Sequence, residues 1–123
     1  MKVLISSSMR FKEKFLATAE QLRELGSEAQ VPNYTDNNHT KRQLIDEHLA
    51  KLKDCDALLV TNYLDDSGYG YIGASGFIEV GWAFALGKKI FILNPVNPES
   101  PYAEDLDAVV DAVLNGDLQA LQL

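Results

Sequence analysis

Only one cysteine, Cys55, occurs in this chain of 123 residues, so no disulfide can close within it. That usage points to a reducing compartment and a cytoplasmic protein. With no histidine nearby in sequence, Cys55 reads as a plain buried or half-buried thiol just before a strand, not as a nucleophile. No apolar run approaches the ~20 residues of a membrane span, and the Met1–Ile5 run is too short for a signal peptide. Basic residues are scarce, with 11 Lys and Arg against 18 Asp and Glu and a net charge of −7. The overall field therefore excludes a grip on nucleic acid polymers or anionic membranes, though one basic pocket could still take a small anion. The glycine patterns of dinucleotide-binding turns and phosphate loops are missing. The two histidines, His39 and His48, have no cysteine or carboxylate at metal-ligand spacing, so no metal is expected. Repeats and low-complexity linkers are absent too, and a single domain over residues 1–123 is expected.

What is present is alternation. Val3–Ile5 is a short apolar strand ending at three serines, and Phe11, Phe15, Ala19, Leu22 and Leu25 then recur at helical spacing up to Gly26. Glu28–Val31 is a weak strand closed by Pro32. After a polar loop over Asn33–Asn38, either Asn38 or Thr40 caps a helix carrying Leu44, Ile45, His48, Leu49 and Leu52 on one side. Ala57–Thr61 and Ile90–Leu93 are continuous apolar runs, as for strands buried on both faces. Between them lie a loop from Asn62 to Ile72, rich in Gly and Tyr, and a helix from Gly73 to Gly87. Ser100–Pro101 reads as a cap and first helical residue, with Leu106, Val109, Val110 and Val113 as the apolar face of a last helix. The tail Leu118–Leu123 adds a further turn or serves an interface.

This order predicts an α/β fold: a doubly wound, flavodoxin-like or Rossmann-like parallel sheet of four to five strands with helices on both faces. Such sheets bind ligands beyond the carboxyl ends of the strands, where strand order reverses. The rule selects the Ser6–Arg10 turn, the Asn62–Gly76 loop and the Asn94 loop, with the start of the Gly73–Gly87 helix beside them.

That helix is apolar on every face and is expected to be covered all round. Glu79 is the only charge between Ser67 and Gly87. A buried carboxylate needs partners or a chemical purpose. Its stripe of Ser75, Gly76, Ala83 and Leu86 leaves a notch of small residues toward the helix start, where a ligand can come close. The alternative is a structural glutamate bonded to a hydroxyl or amide. Ser6, Ser8 and Arg10, at the first strand–helix turn, can hold a phosphate or another anion; the alternative is a capping serine and a solvated arginine. Asn62 and Asp65 follow the central strand and can turn toward a ligand. Tyr69 and Tyr71, among glycines, suit either a cover over the site or a subunit contact.

The run from Tyr71 through Gly73-Ala-Ser-Gly-Phe-Ile-Glu79-Val-Gly-Trp-Ala to Lys89, followed by a strand and Asn94-Pro95, resembles the nucleoside 2-deoxyribosyltransferase superfamily, which includes nucleotide N-glycosidases. The Ser6–Arg10 turn is similar to the loop that holds a 5′-phosphate in the nucleotide hydrolases of that group. The resemblance implies that Glu79 is a nucleophile toward the anomeric carbon of a ribosyl or deoxyribosyl group, forming a covalent glycosyl-enzyme. It implies a nearby acid that protonates the leaving base, a place that Asp65 or Asp66 could fill, and substrate contacts from Ser6, Ser8, Arg10, Asn62, Tyr71, Gly73, Ser75 and Gly76. It further implies a nucleoside or nucleotide as the small-molecule partner, no cofactor, and a homo-oligomer. Gly73 stands where transferases of the group carry an aspartate, six residues before the glutamate. That departure motivates a second reading, a non-catalytic nucleotide-binding or sensing module. A third is a flavin-binding electron carrier on the same kind of sheet.

Overall fold

In the computed structural model, which describes residues 1–34 and 38–121, five strands form one sheet in the order β2-β1-β3-β4-β5. They are β1 (Lys2–Ser6), β2 (Glu28–Gln30), β3 (Ala57–Val60), β4 (Lys89–Ile92) and β5 (Ala112–Val113), and every pairing is parallel. Residues 35–37 of the expected polar loop and 122–123 of the tail lie outside the described residues.

Alternation along the strands divides the core in two. Val3, Ile5, Ala57, Leu59 and Phe91 face Phe15, Ala19 and Leu22 of α1 (Lys12–Glu24). Leu4, Leu58, Val60, Ile90 and Ile92 face the other way, onto α2 (Lys41–Lys53), α3 (Ala74–Ala85) and α4 (Ala103–Val109). Helices thus cover both faces, as the continuous apolar runs demand.

Local chemistry sets the boundaries. A 3-10 turn over Met9–Phe11, capped by Ser8, precedes α1. That helix ends where Gly26 takes φ +96°, a left-handed conformation glycine adopts freely, and Ser27 N–H donates to Leu22 O at 3.0 Å. Thr40, not Asn38, caps α2: its hydroxyl accepts from Gln43 N–H while the Gln43 side chain accepts from Thr40 N–H, a reciprocal capping box.

Two expectations are corrected. The last helix does not reach Val113. It stops at Val109, Val110 turns extended with ψ 132°, and Asp111 exchanges bonds with Ile90: its N–H donates to Ile90 O and its carboxylate accepts from Ile90 N–H, both at 2.8 Å. Of the valines that fit a helical face, Val113 instead pairs in β5 with the edge of β4. Nor does Ser100 cap the helix, since Tyr102 occupies that position without a side-chain bond. The second correction concerns α3. It buries Glu79, Val80 and Ala83, but Ile78, Phe84 and Leu86 are 46%, 62% and 41% exposed. Its inner side packs against β3, β4 and α2.

Candidate active site

The order reverses between β1 and β3, and the site forms beyond their carboxyl ends. Ser6 is the last residue of β1 and shares a face with Leu4, so its side chain emerges beneath α3. Glu79, in the second turn of α3, is 9% exposed. Its Oε2 accepts from Ser6 Oγ–H, and its Oε1 meets Nδ1 of His48, which lies 8% exposed on the inner stripe of α2. An ionised carboxylate only accepts, and toward that form Nδ1 is the donor. Three elements far apart in sequence therefore converge on one carboxylate. Gly76 lies under the Ile72 side chain, where a Cβ would come within 2.9 Å of Ile72 Cγ2.

Glu79 lines a cavity of about 480 Å³, within the range of small-molecule sites, roughly 300–1,000 Å³. Its walls come from the Ser6–Met9 turn, the inner stripe of α2 and the Tyr71–Gly76 segment. Lys41, Lys51 and Glu47 bring charge to it. Lys51 donates to Val31 O at 2.9 Å and lies 3.8 Å from Glu47, whereas Lys41 has no partner among the described residues. Two buried side-chain atoms on the cavity residues also lack a hydrogen-bond partner among the described residues: Ser7 Oγ and His48 Nε2. No three His, Cys, Asp or Glu side chains gather as a metal-ligand set among the described residues.

The structure brings Glu79, Ser6, Ser8, Tyr71, Gly73, Ser75 and Gly76 to this cavity and leaves Arg10, Asn62 and Asp65 off its walls. Arg10 is exposed, with its guanidinium over the rings of Tyr71 at 4.6 Å and Phe11 at 4.7 Å, one side chain away from the cavity. Asn62 is wholly buried in a reciprocal clamp. Its amide donates to Asn94 O at 2.6 Å, its Oδ1 accepts from Asn94 N–H at 2.9 Å, and the Asn94 amide donates to Asn62 O at 3.0 Å. Asp65 organises its own loop: its carboxylate accepts from the Ser67 hydroxyl and from Ser67 N–H. Those bonds, the hydroxyl first, hold it below the usual carboxylate range. Sequence reasoning did not single out His48 as a partner of Glu79, nor Ser7, Lys41 or Glu47. The available signal was His48 itself, a polar residue on the apolar stripe of Leu44 and Ile45.

No protein-family model and no curated protein matches the chain. Solved structures do. The CMP N-glycosidase BcmB of Clostridium botulinum is 19% identical, matched over 91% of this chain and 85% of its own, with a TM-score of 0.60. A 2-deoxyribosyltransferase from Bacillus psychrosaccharolyticus is 19% identical over 100% of this chain and 93% of its own, with a TM-score of 0.68. The 2-desoxiribosyltransferase of Leishmania mexicana is 18% identical over 75% of this chain and 63% of its own, at 0.57. The chain has the fold of these deoxyribosyltransferases and N-glycosidases, and the likeness supports, at the level of fold, the resemblance read from its glutamate motif.

Proposed function

We propose that the protein cleaves or transfers the N-glycosidic bond of a (deoxy)nucleoside or nucleoside monophosphate, with Glu79 as nucleophile and hydrolysis ahead of transfer. The observation that carries this reading is a buried carboxylate on the wall of a nucleoside-sized cavity, oriented by a donor at each oxygen. A Glu79 oxygen bonds to the anomeric carbon as the carbon–nitrogen bond breaks; the electron pair leaves on the base nitrogen, which takes up a proton. Water then attacks the same carbon and gives up a proton, releasing the sugar and restoring the carboxylate. A second base in place of water gives transfer. Ser8 on the wall, Arg10 stacked on Tyr71 at the rim and Lys41 supply the anion-binding groups for a 5′-phosphate. Asp65 has no part in this reading, because its carboxylate is turned to Ser67.

The test is chromatography for free base after incubation with a panel of nucleosides and monophosphates. Release by the wild type, reduced about a thousandfold or more by Glu79→Gln, is expected; a folded wild type that releases no base from any of them refutes the proposal. One observation favours the non-catalytic reading: both Glu79 oxygens already have partners. Thermal stabilisation by a monophosphate without product, equal in wild type and Glu79→Gln, would establish it. We also propose a homo-oligomer, supported by the uncovered apolar residues Ile78 and Phe84 of α3 and Leu86 at its C-terminal cap.

A further inference from the structure

We infer that the site takes a nucleotide whose 5′ chain carries two or more phosphates, held by a collar of unpaired cations at the mouth of the cavity. The inference rests on the cavity being a nucleotide site and adds the length of the phosphate chain it receives.

Most cations of this acidic chain are paired. Lys2, Arg23, Arg42, Lys51 and Lys89 each meet a carboxylate, and Lys88 donates to Lys53 O at 3.1 Å. The side chains of Arg10, Lys12, Lys14, Lys41 and Lys53 have no carboxylate or carbonyl partner among the described residues. All of these but Lys53, at the far end of α2, gather in one place. Lys41 and Met9 are exposed residues of the cavity wall and mark its opening. Arg10 follows Met9 and lies over the ring of Tyr71, also of the wall, at 4.6 Å. Lys12 lies 4.7 Å over the ring of Tyr34, which follows Asn33 of the wall. Lys14 is one ring further out, over Phe11 at 5.4 Å and Tyr63 at 5.6 Å.

What holds these cations decides what they can do. A carboxylate fixes a cation and cancels its charge. An aromatic face fixes it and cancels nothing, because the ring has a quadrupole but no net charge. Arg10 lies over two rings, Tyr71 and Phe11, and the edge of its guanidinium keeps its N–H groups for an anion. Asp65 feels the charge of Arg10, but its carboxylate is bonded to Ser67. Glu13, between the two lysines in sequence, makes no ion pair among the described residues. One phosphate carries about 1.5–2 negative charges, which Arg10 and Lys41 match with the Ser8 hydroxyl beside them. Lys12 and Lys14 stand off the wall, beyond that place. A second phosphate on the same chain lies in that direction too, since the sugar occupies the Glu79 end.

The experiment compares kcat/KM for the 5′-mono- and 5′-diphosphates of the same nucleosides. The wild type is expected to favour the diphosphate by about tenfold or more, and by less as salt screens the exposed lysines. In Lys12→Gln/Lys14→Gln the ratio falls toward one, whereas Lys53→Gln, which removes an unpaired lysine elsewhere, leaves it unchanged. All three lysines are exposed, so these substitutions leave the packed core alone. Equal kcat/KM for the two phosphates, or a ratio untouched by Lys12→Gln/Lys14→Gln, overturns the inference and leaves Glu79 as nucleophile standing. If no nucleotide releases base, the proposed function fails and binding decides the inference. Calorimetry with inorganic phosphate and pyrophosphate should then show tighter binding of pyrophosphate, an advantage lost in Lys12→Gln/Lys14→Gln and kept in Lys53→Gln. Equal or undetectable binding of both, or an advantage that survives the double substitution, overturns it.

Discussion

A carboxylate with nine-tenths of its surface buried must find donors, and Glu79 finds one for each oxygen, Ser6 at Oε2 and His48 at Oε1. This predicts an energetic coupling that needs no substrate. Ser6→Ala leaves an oxygen of the buried carboxylate without its hydroxyl donor, at a cost of about 1.5–3 kcal/mol. Glu79→Gln removes the charge that makes the loss expensive. A double-mutant cycle by urea unfolding should therefore give a coupling of about 1 kcal/mol or more; additive effects would show that the hydroxyl does not serve the carboxylate. Glu79 itself was legible in the sequence as the one charge on an apolar helix. Its partners were not, because Ser6 lies 73 residues away and His48 31, and only the fold brings them together. His48 was legible as a residue on the apolar side of its helix, and the structure buries it there, against Glu79.

Elements whose pattern was unmixed, the continuous apolar run of β3 and the helical spacing of α1 and α2, were legible with little error. The errors fell where two readings shared a pattern. Leu106, Val109, Val110 and Val113 fit a helical stripe, yet pairing with the β4 edge captures the last of them as β5. Asn62 stands at the end of β3, where ligand contacts are expected, but its amide is spent joining the ends of β3 and β4 through Asn94. Gly70 closes against this clamp so tightly that a Cβ would meet Asn62 Nδ2 at 2.2 Å. Asn62→Ala should therefore act on stability: it orphans the Asn94 N–H and C=O, and a loss of about 2–3 kcal/mol in denaturant unfolding is expected. A variant as stable as the wild type but unable to bind nucleotide would return Asn62 to the site.

At the scale of the whole molecule, the order β2-β1-β3-β4-β5 makes the crevice, and the Ser6–Met9 turn, α2 and the Tyr71–Gly76 segment wall it. The net charge of −7 does not prevent anion binding, because Lys41 and Lys51 are brought to the cavity. The outer side of α3 was expected to be covered and is not, and a second copy is the proposed cover. Light scattering should then give a mass that is a multiple of 13.6 kDa, reduced by Phe84→Glu. A wild type that runs at 13.6 kDa at all concentrations would exclude the oligomer. The central claim is that Glu79 becomes bonded to the sugar, and mass spectrometry of protein acid-quenched during turnover of a nucleoside monophosphate tests it most directly. The account predicts a glycosyl mass on the peptide that carries Glu79, absent from Glu79→Gln. Undiminished base release by Glu79→Gln, with that peptide unmodified in the wild type, would contradict it.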